Sequence, residues 1–182
     1  RGDAVIVPVI LADGTSPDQE GFALNRTIVR ARIDLARKRV DLDQGDFSRI
    51  DTRPLHNVGV AVTGSLDYSG AEPHLAFGVA GTRMPLPVMK RLWPVFTANA
   101  VRTWVEGHVS GGMVERVVIA GNAPLNCFKA NGPPTPDDGL SVDIETSGTT
   151  MRPIAKLPAI RDADLTVRIT GRTATINVGR GT

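Results

Sequence analysis

Residues with the chemistry for catalysis or metal binding are few in this chain and stand far apart. The histidines are His56, His74 and His108, and the single cysteine, Cys127, has none of them beside it. A nucleophile needs a base within hydrogen-bond reach, and such a spread gives no sign of one. The patterns G-x-S-x-G, G-x-x-x-x-G-K and H-E-x-x-H are also absent. We therefore expect a protein that is not an enzyme and that uses no cofactor.

A short acidic run, Asp41–Asp46, has the composition of a calcium-binding loop. Its glycine, Gly45, falls one place too early for that loop, and Thr52 stands where a bidentate glutamate would close it. We interpret the run as solvated carboxylates beside a hairpin and expect no metal site. His108 lies on the apolar stripe of a predicted helix, so we expect a half-buried core residue there rather than a ligand.

Charge and aromatic content argue against a nucleic-acid partner. The formal net charge is only +2, and the aromatic residues are five Phe, two Trp and one Tyr. The densest basic stretch, Arg26–Arg39, is interrupted by Asp34, and alternation places Arg30 and Arg32 on the outer face of a strand. A nucleic-acid surface needs a continuous basic patch with aromatic side chains among it. We expect no nucleic-acid partner.

The elements that position these residues are mainly strands with one apolar and one polar face. Val58, Val60 and Val62 alternate with small or polar residues, and the same alternation recurs along the chain. One-sided alternation predicts antiparallel pairing with a single dry face. Similarity between Asn57–Gly64 and Asp164–Gly171 favours stacked β units. The predicted fold is therefore mainly β, an antiparallel, curved or groove-like sheet with a short helical pair.

Residues 82–112 depart from the alternation and predict that helical pair. Pro87 suits a first helical turn, and Pro94 should end the first helix at Trp93. Asn99 or Thr97 can cap a second helix. Amphipathic helices usually cover a core, so we expect this pair to plug one side of the sheet. The plugging residues would be Leu92, Trp93, Phe96, Val101, Trp104 and Val105.

Division of the chain follows from these patterns. Residues 1–81 form a first β unit, 82–112 the helical pair and 113–182 a second β unit, expected as one continuous body. Arg1 and Thr182 stand close to predicted strands, so we expect a section of a longer protein. Exposed sheet edges at both ends then predict edge-to-edge self-association.

Several stretches resemble a known family. They are L-P-V-x-x-x-L-W-P from Leu86, V-R-x-W-V from Val101, Pro133–Gly148 and Leu157–Gly171. They resemble the central domain of the AsmA-like, YhdP-like family of Gram-negative envelope proteins, across most of the chain. The resemblance implies a periplasmic section of a protein anchored in the inner membrane. It also implies a hydrophobic β-groove that takes part in phospholipid transport to the outer membrane. Phospholipid acyl chains and other envelope proteins would be its partners.

Two arrangements of the apolar face remain open. Alternation alone favours a closed β-sandwich. Together with the resemblance, that arrangement would imply a structural or interaction module of an envelope assembly protein. The resemblance favours an open groove lined by the inward-facing apolar residues. That lining would comprise Val29, Ala31, Ile33, Leu35, Val60, Val62, Leu75, Phe77, Val142, Ile144, Val167 and Ile169.

Overall fold

A computed structural model describes residues 4–6, 9–11, 22–49, 58–92, 99–129, 132–152, 158–171 and 173–181. The strands are β1 (Ala4–Ile6), β2 (Val9–Leu11), β3 (Phe22–Leu24), β4 (Arg26–Asp34), β5 (Arg39–Arg49), β6 (Val58–Asp67), β7 (His74–Gly81), β8 (Met84–Pro85), β9 (Val109–Ser110), β10 (Met113–Pro124), β11 (Leu140–Met151), β12 (Ile160–Thr170) and β13 (Thr173–Val178). The helices are α1 (Leu86–Leu92) and α2 (Asn99–His108), with a short 3-10 helix at Leu125–Phe128.

All described strands except β2 and β3 form one antiparallel sheet. Its order is β1-β4-β5-β6-β7-β10-β11-β12-β13, with β8 beside β10 and β9 beside β11, while β2 and β3 pair with each other. The pairing of β7 with β10 joins the two predicted β units into one sheet. The predicted fold class, a mainly β antiparallel architecture with two short helices, is confirmed. Within the described residues the sheet is open and does not close into a sandwich.

Strand register brings the alternating apolar residues to one face of this sheet. Residues directly opposite each other in neighbouring strands point to the same side. Val62 pairs with Val79, which pairs with Ile119, and Ile119 pairs with Val142. We call this side the apolar face and the other side the polar face. One row of the apolar face crosses eight strands: Val29, Gly45, Val62, Val79, Ile119, Val142, Ile169 and Ala174.

Bulges and one glycine shape the sheet. Register shifts fall between Leu42 and Gly45 on β5 and between Val114 and Arg116 on β10. Each shift adds local bend and twist. Gly121 lies directly under the ring of Phe77, and a Cβ there would come 2.3 Å from the ring Cε1 atom. Only glycine leaves room for this aromatic side chain to lie against the strand.

The helical segment begins and ends in strands that the sequence did not predict. β8 and β9 flank the helices and pair with β10 and β11, so both ends of the segment are fixed to the sheet. α1 begins at Leu86, which places Pro87 in its first turn. The Lys90 ammonium donates to the carbonyls of Glu106 and Val109 and so ties α1 to the end of α2. The helices form one unit seated on the sheet.

Candidate functional site: the apolar face of the sheet

One half of the apolar face, on β10–β12, is covered. Val142 is 1% exposed, and Ile144 and Ile169 are each 5% exposed. Leu86 and Met89 of α1 are buried in the same hydrophobic cluster. Val142, Ile144 and Ile169, which are predicted lining residues, therefore belong to the core beneath the helices. The partly buried side chains packed against that core from the helices are Val88, Leu92, Trp104, Val105 and Phe128.

The predicted plugging role fits the described part of the helical pair. Leu92, Trp104 and Val105 pack against the core as expected. Trp93 and Phe96 lie outside the described residues, as does the side chain of Val101. The helices therefore cover the β10–β12 half of the face, and we call that half the covered half.

The other half of the apolar face, on β4–β7, is only partly covered, and we call it the open half. Predicted lining residues here are half-buried or exposed, and none of them is fully buried. Ala31 is exposed and Ile33 is 67% exposed, so exposure rises toward the C-terminal end of β4. Val167 on β12 is also half-buried, at the far margin of the covered half. The half-buried lining residues of the open half are Val29, Val60, Val62, Leu75 and Phe77.

The prediction that Leu35 lines this face is wrong. β4 ends at Asp34, and Leu35 opens the turn 35–38 with 78% of its surface exposed. The Asp34 carboxylate accepts the backbone N–H of Arg37 at 2.9 Å. An aspartate that bonds to a nearby backbone N–H in this way favours a turn over a continuing strand. Leu35 therefore stands beyond the end of the apolar face.

Paired charges occupy the polar face. The guanidinium of Arg32 binds both carboxylate oxygens of Asp43, at 2.8 and 3.0 Å. This hydrogen bond and the neighbouring charge raise the pKa of Arg32. Arg39 pairs with Asp41 at 2.7 Å, so two carboxylates of the acidic run are engaged with arginines. The interpretation of that run as a solvated hairpin flank fits these contacts.

A further ion pair joins β10 to the segment before β8. Arg83 donates to Glu115 at 2.6 Å, and the Ser147 hydroxyl donates to the other oxygen of that carboxylate. The Arg83 and Ser147 hydrogen bonds hold the pKa of Glu115 below its ordinary value. Glu115 is therefore ionised at neutral pH and acts as a link between strands.

An open, shallow depression lies across the polar face of β4–β7 and β10. Its lining includes Arg32, Arg39, Asp41, Ser65 and Asn122. Its lining carries three arginines and four aspartates, and Arg32 and Arg39 are already paired with carboxylates, so the depression is a solvated surface of mixed charge. Of the predicted lining residues only Phe77 also borders it. No contiguous motif encodes the depression, so it could not be predicted from the sequence.

The histidines and the cysteine do not converge. His74 shares a 2.7 Å hydrogen bond with Asn122, and His108 stacks on Trp104 with ring centroids 4.9 Å apart. His108 is half-buried, as predicted, whereas His56 lies outside the described residues. Among the residues described, no group of three His, Cys, Asp or Glu side chains is placed to hold a metal ion. Neither described helix is both long and apolar enough to cross a membrane.

β13 forms one margin of the sheet. It pairs with β12, and no other described strand pairs with it. All six of its residues are exposed, including Ile176 at 39% and Val178 at 43%. Ala174, Ile176 and Val178 continue the rows of the apolar face to this margin. The backbone groups of this edge are available for pairing with a further strand.

Comparison of the chain with family models, curated proteins and solved structures finds no match. The function is therefore inferred from the fold and from the chemistry of its two faces.

Proposed function

We propose that this chain is a section of a periplasmic hydrophobic β-groove that shields phospholipid acyl chains as they pass between the inner and outer membranes. No bond is made or broken in this role. The supporting observation is the open half of the apolar face: an apolar surface on four neighbouring strands whose predicted lining residues are half-buried or exposed. The small β2–β3 sheet meets it where β3 contacts β5, and Leu24 is buried there. Apolar surface of this extent needs a cover in water. An acyl chain has the chemistry to provide it.

The lining of the open half suits a sliding hydrocarbon chain. Val29, Val60 and Val62 present branched, apolar groups that offer no hydrogen bond. Removal of one methylene from water is worth about 0.8 kcal/mol, so about fifteen methylenes gain on the order of 10 kcal/mol. The gain is nearly the same at each position along a uniform wall. A chain therefore stays shielded without a deep minimum that would trap it.

The width of the open half also fits this role. Its four strands at about 4.8 Å spacing span about 14 Å, wide enough for the two tails of a phospholipid side by side. The covered half then acts as a wall, because the helices and the side chains beneath them fill its apolar face.

The resemblance to AsmA-like, YhdP-like envelope proteins supports the same proposal. In that setting the chain is part of a longer protein anchored in the inner membrane, with phospholipids and other envelope proteins as partners. The sheet is consistent with such an arrangement because its apolar rows run on to β13 at one margin.

A structural or interaction module is the second candidate, and the exposed edge of β13 favours it. Thr173–Val178 contains no charged residue and no proline, the devices that commonly block edge pairing. Two copies paired along β13 would sediment as a dimer. The variant Ile176→Lys would restore the monomer, and a monomer at all concentrations of the unaltered protein would remove this candidate.

A fluorescent fatty-acyl probe tests the groove directly. The protein should bind the probe, and Val62→Asp should abolish binding because it places a charge on the open half. Thr63→Asp is the matched control, since Thr63 neighbours Val62 on the same strand but is exposed on the polar face. Equal binding by both variants, or no binding by the unaltered protein, would contradict the proposal.

A further inference from the structure

The turn between β4 and β5 carries two apolar side chains into solvent. Leu35 is 78% exposed and Ile33 is 67% exposed, the highest values among the large hydrophobic residues described. Isolated exposed leucines are common on protein surfaces, but these two stand together at the end of a hairpin. We call the segment Ile33–Arg39 the hairpin tip.

The hairpin tip is also cationic at its outermost point. Arg37, Lys38 and Arg39 follow one another there. Arg37 lies 3.7 Å from Asp34 and Arg39 is paired with Asp41, whereas Lys38 makes no ion pair with any residue that the structure describes. Asp41 stands farther back along β5, whereas Asp34 and Asp67 both lie opposite Arg39, so three cations and two carboxylates are outermost. A surface potential decays within about 10 Å, so these outermost charges dominate attraction to a charged surface.

Neighbouring loops hold the hairpin tip in place. The backbone N–H of Tyr68, just after β6, donates to the carbonyl of Lys38 at 2.9 Å. Tyr68 is half-buried and stands at the same end of the sheet. Tyrosine is enriched where protein meets the interfacial region of a bilayer. Apolar, cationic and aromatic groups therefore share one end of the sheet.

We propose that the hairpin tip docks on the surface of an anionic lipid bilayer. Leu35 and Ile33 enter the headgroup region while Arg37 and Lys38 contact lipid phosphates. Reversible membrane attachment needs two such contributions, apolar insertion and attraction between opposite charges, because either alone is weak. The inference does not depend on the proposed groove, because the hairpin tip would dock whether or not the apolar face holds acyl chains.

Co-sedimentation with vesicles tests the docking. The 182-residue protein should sediment with vesicles of equal parts phosphatidylglycerol and phosphatidylcholine. Raised ionic strength should weaken its binding to these vesicles. Leu35→Ser should reduce binding about tenfold through lost apolar insertion. Lys38→Glu should reduce binding about tenfold on the mixed vesicles and have little effect on phosphatidylcholine alone.

Matched controls separate docking from general effects. Val178→Ser removes another exposed apolar side chain, at the β13 margin, and Arg91→Glu reverses another exposed cation, on α1. Neither control should change sedimentation. Absence of vesicle binding by the unaltered protein would overturn the proposal, as would equal losses of vesicle binding in the test and control variants. In the second case a protein would be the better candidate partner for the hairpin tip. If Leu35→Ser loses vesicle binding but still binds the fatty-acyl probe, docking and acyl-chain binding are independent properties of the protein.

Discussion

The division of the apolar face into a covered and an open half predicts that one substitution has different costs at two positions. Val62 and Val142 lie in the same row of the apolar face. Threonine has almost the shape of valine, so neither Val62→Thr nor Val142→Thr opens a cavity. The difference between them reports on whether water reaches the new hydroxyl.

The magnitude follows from burial. Val142 is 1% exposed between Ile119 and Ile169, both buried, so a hydroxyl there finds no water. Leaving it unpaired costs about 1–3 kcal/mol, which is a large share of a typical stability of about 5–15 kcal/mol. Val62 is half-buried between Gly45 and Val79, where water solvates a hydroxyl. We expect Val62→Thr to cost less than about 1 kcal/mol.

Urea denaturation measures both costs, with the fluorescence of Trp104 as one reporter because it stacks on His108 in α2. Equal slopes of unfolding free energy against urea concentration would show that both variants expose the same amount of surface on unfolding. Equal and large costs at both positions would refute the reasoning, because they would mean that Val62 is as dry as Val142 and that no open half exists.

Three further predictions concern stability. The Thr146 hydroxyl is buried with no hydrogen-bond partner among the residues described, so Thr146→Val should raise the free energy of unfolding by about 1 kcal/mol. A lower free energy of unfolding for this variant would show that the hydroxyl is hydrogen-bonded. Gly121→Ala should destabilise the protein by about 1–3 kcal/mol because its Cβ would overlap the Phe77 ring, whereas Gly78→Ala, with 3.5 Å to its nearest neighbour, should not. Equal urea midpoints for the two would contradict that packing. The Glu115 pKa is lowered by Arg83 and Ser147, so its stabilising effect is present above its unfolded-state pKa and disappears as pH falls through the lower folded-state value. Glu115→Gln should therefore flatten the loss of stability on acidification, and an unchanged pH profile would count against this.

The strands and the two faces could be predicted from the sequence, because alternation depends only on neighbouring residues. Alternation predicts that Val60 and Val142 lie on the apolar face, and register places both of them there. Their different burial could not be predicted, since it depends on which strands lie beneath the helices. Alternation looks the same in both halves.

Other misses have local causes. β8 and β9 each contain two residues, too few to show a period. Leu35 continues the alternation of β4, but Asp34 before it starts a turn by accepting the backbone N–H of Arg37. An aspartate at the end of a strand is a sequence signal for such a turn. The polar depression joins residues from five strands, so only tertiary structure reveals it.

Photocrosslinking tests the central claim most directly. A benzophenone side chain placed at Val62 lies on the open half, and one at Thr63 lies on the polar face of the same strand. In the presence of radiolabelled phospholipid, a groove on this face predicts labelling of the protein at Val62 and none at Thr63. Label at both positions, or at neither, would contradict a role for this face in holding acyl chains.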